Sequence, residues 1–224
     1  GSHQDAINKG TTYLAQHNSP FWEVPYLPID PADLGRQYEP IIRINSQSGK
    51  GGAAFVMRQA FGYQLPRAMH PEFGALVKEA CELARRELTP EEVFAIFRRE
   101  YLDVHHPYRL LTYRIFEESG TGGQVQVDFE GIIRTHHVNK EVSGRGNGPI
   151  DAFFNALGAM GLRGYEFVSY SEHAVSTGAD SQAVSYIQLR HQGEMVFGVG
   201  MDHNISIASI KGILCAINRS VSKA

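Results

Sequence analysis

The arrangement of apolar and polar positions changes character twice along this chain. Residues 4–15 admit one helix. Pro20, Pro25, Pro28 and Pro31 then alternate with Phe21, Trp22, Tyr26 and other apolar residues. Proline at that density blocks helix and central strand. Residues 21–30 therefore read as an extended, aromatic-rich arm without a core of its own. Such an arm lies either on the rest of its chain or on a partner. A period near 3.6 takes over after the glycine-rich stretch 45–52. One helix follows directly. A second is expected over 71–87, with Phe73, Leu76, Val77, Ala80 and Leu83 on one face. A third opens at Thr89-Pro90-Glu91-Glu92, where Thr89 is the N-cap, Pro90 fits the first helical position and Glu92 closes a capping box. It is expected to bury Val93, Phe94, Phe97 and Tyr101.

After Pro107 the period drops to two. Strands are expected over 109–117, 124–129 and 132–142, with Val125, Val127 and Phe129 on one face, followed by a helix over 149–160. Strands over 165–171, 183–192 and 194–199 and a helix over 204–218 repeat the order. A β-rich run, a glycine-rich turn and an apolar helix thus occur twice, at Val142 to Leu157 and at Phe197 to Leu214, offset by about 55 residues, the size of one supersecondary unit. The order βββα, βββα makes an α+β domain with a pseudo-twofold. It brings two helix starts near one axis, and helix starts attract carboxylates. That organisation fits a small-ligand sensor better than a catalyst.

Composition narrows the picture. The chain has 224 residues, 42% hydrophobic and 20% charged, enough for one large or two small globular domains. A net charge of −3 argues against nucleic acid, which needs a basic face. Cys81 and Cys215 form no paired framework, so a reduced, cytoplasmic chain is expected, with Cys215 buried and inert. No apolar run reaches the roughly 20 residues of a membrane span, and no signal peptide is seen.

The candidate chemistry is mostly negative. The stretch around Lys50 misses the phosphate-loop pattern at Ile44 and Gly51, and reads as a hinge and helix start. Gly144-Arg-Gly-Asn-Gly-Pro149 resembles a dinucleotide loop, but Pro149 stands where the last glycine belongs; a capped helix start explains it. His105-His106 and His136-His137 are adjacent pairs whose members point to opposite faces of a strand, so no metal site is assigned. Ser169 and His173 lack the setting of a hydrolase dyad. Residues 173–183 form a small-residue link, either an ordinary loop or the wall of a cavity for an aliphatic amino acid.

The residues also resemble a known family. Ser2-His-Gln-Asp-Ala-Ile-Asn-Lys9, Val24-Pro-Tyr-Leu-Pro-Ile-Asp30, Gly35-Arg-Gln-Tyr-Glu39, 45–52, Gly146-Asn-Gly-Pro149 and 170–186 are similar to the C-terminal part of α-isopropylmalate synthases. The resemblance covers nearly the whole chain, and implies that Gly1-Ser2-His3 contains a native His3, although a tag scar would read the same. It implies a linker at 1–40, a hinge at 41–49, a helical linker at 50–105 and a regulatory domain at 106–224. The family's catalytic TIM barrel, with a divalent metal (Zn, Mg or Mn), would precede this chain, which alone would hold no cofactor, no metal and no activity. The full-length family condenses acetyl-CoA with 3-methyl-2-oxobutanoate. By motif position His3 and Tyr26 would enter the barrel of the partner subunit as catalytic residues. L-Leucine, the effector, would sit between the regulatory domains of a homodimer. Its pocket would be lined by Asn147, Gly148, Ile150, Asp151, Phe167, Tyr170, Ala174, Ser181, Ala183 and Ile205. Asp151 replaces a familiar small residue, and Ser181 an alanine of some relatives. Citramalate- and homocitrate-type synthases share the architecture, and a ligand-free dimerisation scaffold is the other alternative.

Overall fold

The structure is a computed structural model that describes residues 2–17, 19–35, 44, 51–102, 104–119, 125–136, 138–175 and 181–223, without the side chains of 2–5, 8 and 223. The expected hinge at 41–49, apart from Ile44, lies outside the described residues. So do the glycine turn at 120–123, His137 and the centre of the 173–183 link.

Helix α1 spans Ser2–His17. The arm lies against it where Gly10 has no side chain: a Cβ there would stand 2.7 Å from Pro25 Cδ. Ile7 and Val24 are buried. Trp22 Nε1 donates to Leu27 O at 2.7 Å, which closes a turn over Pro25 and Tyr26. A short 3-10 turn, Pro31–Leu34, starts on the Asp30 carboxylate. The arm is therefore partly folded on its own chain, yet Phe21, Tyr26, Ile29 and Leu34 remain exposed.

Three helices follow: α2 (Gly52–Phe61), α3 (His70–Ala84) and α4 (Pro90–Phe97). The Thr89–Glu92 capping box is present in both directions. Helix α3 stops short of Glu87 because Arg85 adopts the left-handed conformation. The expected α3 face needs a correction. Leu83 is 79% exposed, and Cys81 takes the inward position with Phe73 and Val77. On α4, Ile96 is buried with Val93 and Phe97, while Phe94 is only half-buried and stacks on Phe61 at 4.6 Å. A π-helical turn, Arg98–Leu102, carries Tyr101 into the same core.

Two three-stranded antiparallel sheets complete the chain. The first is β1 (Tyr108–Ser119), β2 (Val125–Thr135) and β3 (Val138–Gly146), and α5 (Pro149–Ala159) follows. The second is β4 (Tyr165–Ala174), β5 (Ala183–His191) and β6 (Glu194–Asp202), and α6 (Ile205–Lys223) follows. The α+β order βββα, βββα holds. The expected break after Phe129 does not exist: β2 runs through Gly131 to Thr135, and the hairpin turns at His136, with φ of 46°. Val125, expected inward, is 40% exposed at the strand start.

The glycines read as a turn belong mostly to strands. Gly144 and Gly146 lie in β3, where a Cβ would overlap the backbone of Ala152 and Ala156 on α5. Gly198 and Gly200 repeat this in β6, against Ala208, Gly212 and Ala216 of α6. Each helix thus lies directly on bare strand backbone.

Helices α5 and α6 share one core with the inner faces of both sheets, built on Phe129, Phe153, Ile187, Leu189 and Ile210. The other face of the second sheet packs Val184, Tyr186, Phe197 and Val199 against Phe73, Phe97 and Tyr101 of the helical unit. The second sheet is covered on both sides, so β5 and β6 are apolar without alternation.

The end of α6 ties these parts together. Asn218 donates to Val104 O at 2.9 Å and Tyr108 O at 2.8 Å, and accepts from Tyr108 N at 2.9 Å. Arg219, 5% exposed, donates to Phe197 O and to Glu72 of α3, and lies 4.1 Å over the Tyr101 ring. Tyr101 donates to the same Glu72 carboxylate at 2.9 Å.

Candidate functional site

Helix α6 lies on β5 and β6, leaving the inner face of edge strand β4 overhanging it. A bulge between Phe167 and Ser169 shifts the register of β4. Phe167 therefore pairs with Leu189 and Tyr170 with Ile187, so both face the α6 side with Tyr165 and Glu172. Under this overhang, between the starts of α5 and α6, lies a cavity of about 580 Å³. That is within the range of small-molecule sites.

The cavity gathers most of the expected effector residues. Asn147, Gly148, Ile150 and Asp151 line it from the start of α5, Phe167 and Tyr170 from β4, and Ile205 from α6. Ala174, Ser181 and Ala183 do not line it. Ala174 pairs with Ala183 at the far end of β4, beyond Tyr170 and Glu172 on the same face. Phe154, Tyr165, Glu172, Ser206 and Ser209 line the cavity and were not foreseen. Their signal was partly in the sequence: once β4 faces inward at Tyr170, the period of two adds Glu172. Phe154 meets Phe167 edge-on at 6.0 Å, and Tyr165 is held by its hydroxyl to Ser220 at 2.9 Å.

The two helix starts differ. On α6 the Asn204 side chain accepts from Ser206 N at 2.9 Å and Ile207 N at 3.4 Å, so these amides are already capped. Asp202 in turn accepts from Asn204 N at 3.0 Å and meets Lys211 at 2.6 Å. Burial pushes the Asp202 carboxyl up, but the Asn204 amide and Lys211 outweigh this and hold it below its ordinary range. On α5 no side chain caps the helix. The expectation of two equivalent open starts is corrected: α5 alone offers uncapped amides.

Two details of the α5 start bear on what it can hold. Asp151 Oδ2 accepts from Asn147 N at 3.0 Å, so part of this carboxylate serves the turn before α5. Gly148 has φ of −171° and open space around its Cβ position, so a small side chain fits there.

Neither His3 nor Tyr26, the expected catalytic pair, is among the residues that line this cavity. His3 lies on α1, its side chain outside the described residues, and Tyr26 sits in the arm turn, 64% exposed with φ of 64°. Ser169 donates to Gln188 at 3.0 Å, and His173 Nε2 accepts the Gln64 amide at 3.0 Å; neither side chain serves the other. Among the described residues, no three His, Cys, Asp or Glu side chains gather as metal ligands. Cys215 is buried and donates to Tyr101 O at 2.9 Å, and burial pushes its thiol up to about 11. No helix among the described residues is long and apolar enough to cross a membrane.

Two family models match the chain: alpha-isopropylmalate synthase, post-catalytic domain-like, over residues 1–58, and the LeuA allosteric (dimerisation) domain over residues 87–221. A 2-isopropylmalate synthase of Clostridium acetobutylicum is 48% identical over all of this chain, which covers 40% of that protein. Those of Pseudomonas fluorescens and Pseudomonas syringae pv. tomato are each 44% identical, again over all of this chain and over 39% and 38% of their own lengths. The chain thus spans less than half the length of the relatives it matches.

Proposed function

The chain belongs to the 2-isopropylmalate synthase family, whose regulatory and dimerisation region it matches, and from that membership we propose that it senses L-leucine for a synthase of which it is the C-terminal part. The whole protein would condense acetyl-CoA with 3-methyl-2-oxobutanoate. The divalent metal of that reaction would sit in a catalytic barrel outside this chain.

The observation that carries the reading is the chemistry of the cavity. An α-amino acid needs a site for each of its charges and an apolar wall for its side chain. The uncapped amides at the start of α5 suit the carboxylate. Asp151 and Glu172 supply negative charge for the ammonium, and Ile150, Phe154, Phe167 and Ile205 enclose an aliphatic group. Burying an isobutyl group there contributes about 2–3 kcal/mol. Phe167, Val168 and Tyr170 on edge strand β4 are 38–49% exposed, which supports a homodimer that closes over the cavity.

Calorimetry with leucine, isoleucine, valine and pyruvate tests the proposal. Leucine should bind best, and valine, one methylene shorter, about 10–200-fold more weakly. Tightest binding of isoleucine or pyruvate would reassign the effector. Heat from none of the four would leave a dimerisation scaffold.

A further inference from the structure

The pseudo-twofold duplicates the wall of the effector cavity. Tyr165, Phe167 and Tyr170 of β4 are repeated, at one constant offset, by Tyr108, Leu110 and Tyr113 of β1. The bulge is repeated as well, between Leu110 and Thr112. Helix α5 lies on β2 and β3, as α6 lies on β5 and β6, so β1 overhangs in its turn. A cavity of about 670 Å³ opens beneath it, lined by Tyr108, Leu110 and Tyr113. Its other walls come from the helical unit, with Tyr63, Phe94 and Leu102, and from α6, with Leu214. We propose that this cavity is a second ligand site, for an organic carboxylate with an aromatic or branched apolar body.

The charges select an anion. Arg98 lines the cavity from the π-helical turn and Arg109 from β1. Arg109 alternates to the outer face of β1, in register with Arg134 on β2, so it meets the cavity from the strand's outer side while Tyr108 and Leu110 meet it from the inner side. Asp202, the one acid among the described lining residues, is paired with Lys211 at 2.6 Å. A guanidinium fork matches a carboxylate or phosphate. The aromatic and leucine walls select for an apolar body behind that head. Such a ligand would bridge the helical unit and the first sheet.

The test uses the 224-residue chain and 3-phenylpropanoate as probe, with 3-phenylpropanamide and inorganic phosphate as controls. Calorimetry should give saturable binding of the acid, with the neutral amide and phosphate weaker by about tenfold or more, as expected for loss of a charge-assisted contact or of the apolar body. Arg109→Met should weaken the acid to a similar degree, and Arg109→Lys should recover part of it. Arg109 is exposed, so both variants should fold, which melting curves will check. Phe167→Ala, which lines the other cavity, should leave binding of the acid unchanged. The assignment is overturned if amide or phosphate binds as well as the acid, if no binding saturates, or if Phe167→Ala removes the binding and Arg109→Met does not. None of these outcomes depends on whether leucine binds.

Discussion

At Gly200 the chain leaves no room for a side chain, because α6 rests on the strand backbone at Ala208 and Gly212. Gly200→Ala should destabilise the chain by about 1–3 kcal/mol, the usual cost of overpacking, seen as a lower urea midpoint. Gly193→Ala is not a useful control, since φ there is 85°; Gly148→Ala meets open space and should lower the midpoint less than Gly200→Ala, by the modest cost of alanine at an N-cap. The sequence showed these glycines as a pattern without showing their use. A Gly-x-Gly pair signals a turn as readily as a close helix approach, and only the position of the helix decides between them. Phe167 and Tyr170 posed a similar problem. They are three apart, so strict alternation puts them on opposite faces; the bulge reunites them, and a bulge leaves little trace in composition. The motif match named both residues; Glu172 follows from the period of two once Tyr170 faces inward, whereas Phe154 is placed only by the packing of α5. For His3 and Tyr26, the catalytic role that the family resemblance implies would belong to a full-length synthase. There His3→Ala and Tyr26→Phe should each lower kcat by about 10²–10⁴-fold with little change in KM, since proton transfer and carbonyl polarisation act on the transition state. Wild-type kcat in both would remove that role.

Among the elements, α6 does the most structural work. Its first turns line the first cavity, and its last turns hold Tyr101, Glu72 and the 104–108 connection. Arg219→Met removes one member of a largely buried ion pair while keeping the apolar stem. The expected loss is about 3 kcal/mol, the low end for such pairs, because Glu72 keeps 26% side-chain exposure. Adding Glu72→Gln should restore part of the loss in denaturant titration; strict additivity would mean that the two groups are uncoupled. The start of α4 carries a pH signature. The Arg86 side chain, with the Thr89 amide, holds the Glu92 carboxyl at about 2 against an ordinary 4.5. A lowered folded-state pKa contributes stability above the ordinary value, and that contribution is lost as pH falls toward the folded one. The difference in melting temperature between wild type and Glu92→Gln should therefore be full above pH 4.5 and shrink toward pH 2. A difference that stays constant across that window would show that the carboxylate is not the stabilising form. This cap was legible in four letters, Thr-Pro-Glu-Glu, because capping is local. The end of α3 was not, since Arg85 at φ of 52° gives no composition signal.

At the scale of the whole molecule, the repeat of βββα was readable because alternation and 3.6-periodicity survive in each unit. The two-sided burial of the second sheet was not. Val184, Tyr186, Phe197 and Val199 meet helices that lie about 100 residues away in the chain, and the alternation they erase is the usual clue to which face is inward. The same packing places both cavities under overhanging edge strands, one between the two helix starts and one against the helical unit. The first of these is the proposed leucine site. The most direct test is the melting temperature of the chain with and without leucine, for wild type, Gly148→Ala and Gly148→Asp. A ligand at about 100 times its dissociation constant stabilises by about 2.7 kcal/mol, which raises the melting temperature of a chain this size by about 5–10 °C. Wild type and Gly148→Ala should show that rise. Gly148→Asp should lose it, because a carboxylate beside the uncapped α5 amides repels the ligand's own. Unmoved melting curves in millimolar leucine, or an equal rise in all three proteins, would contradict the assignment.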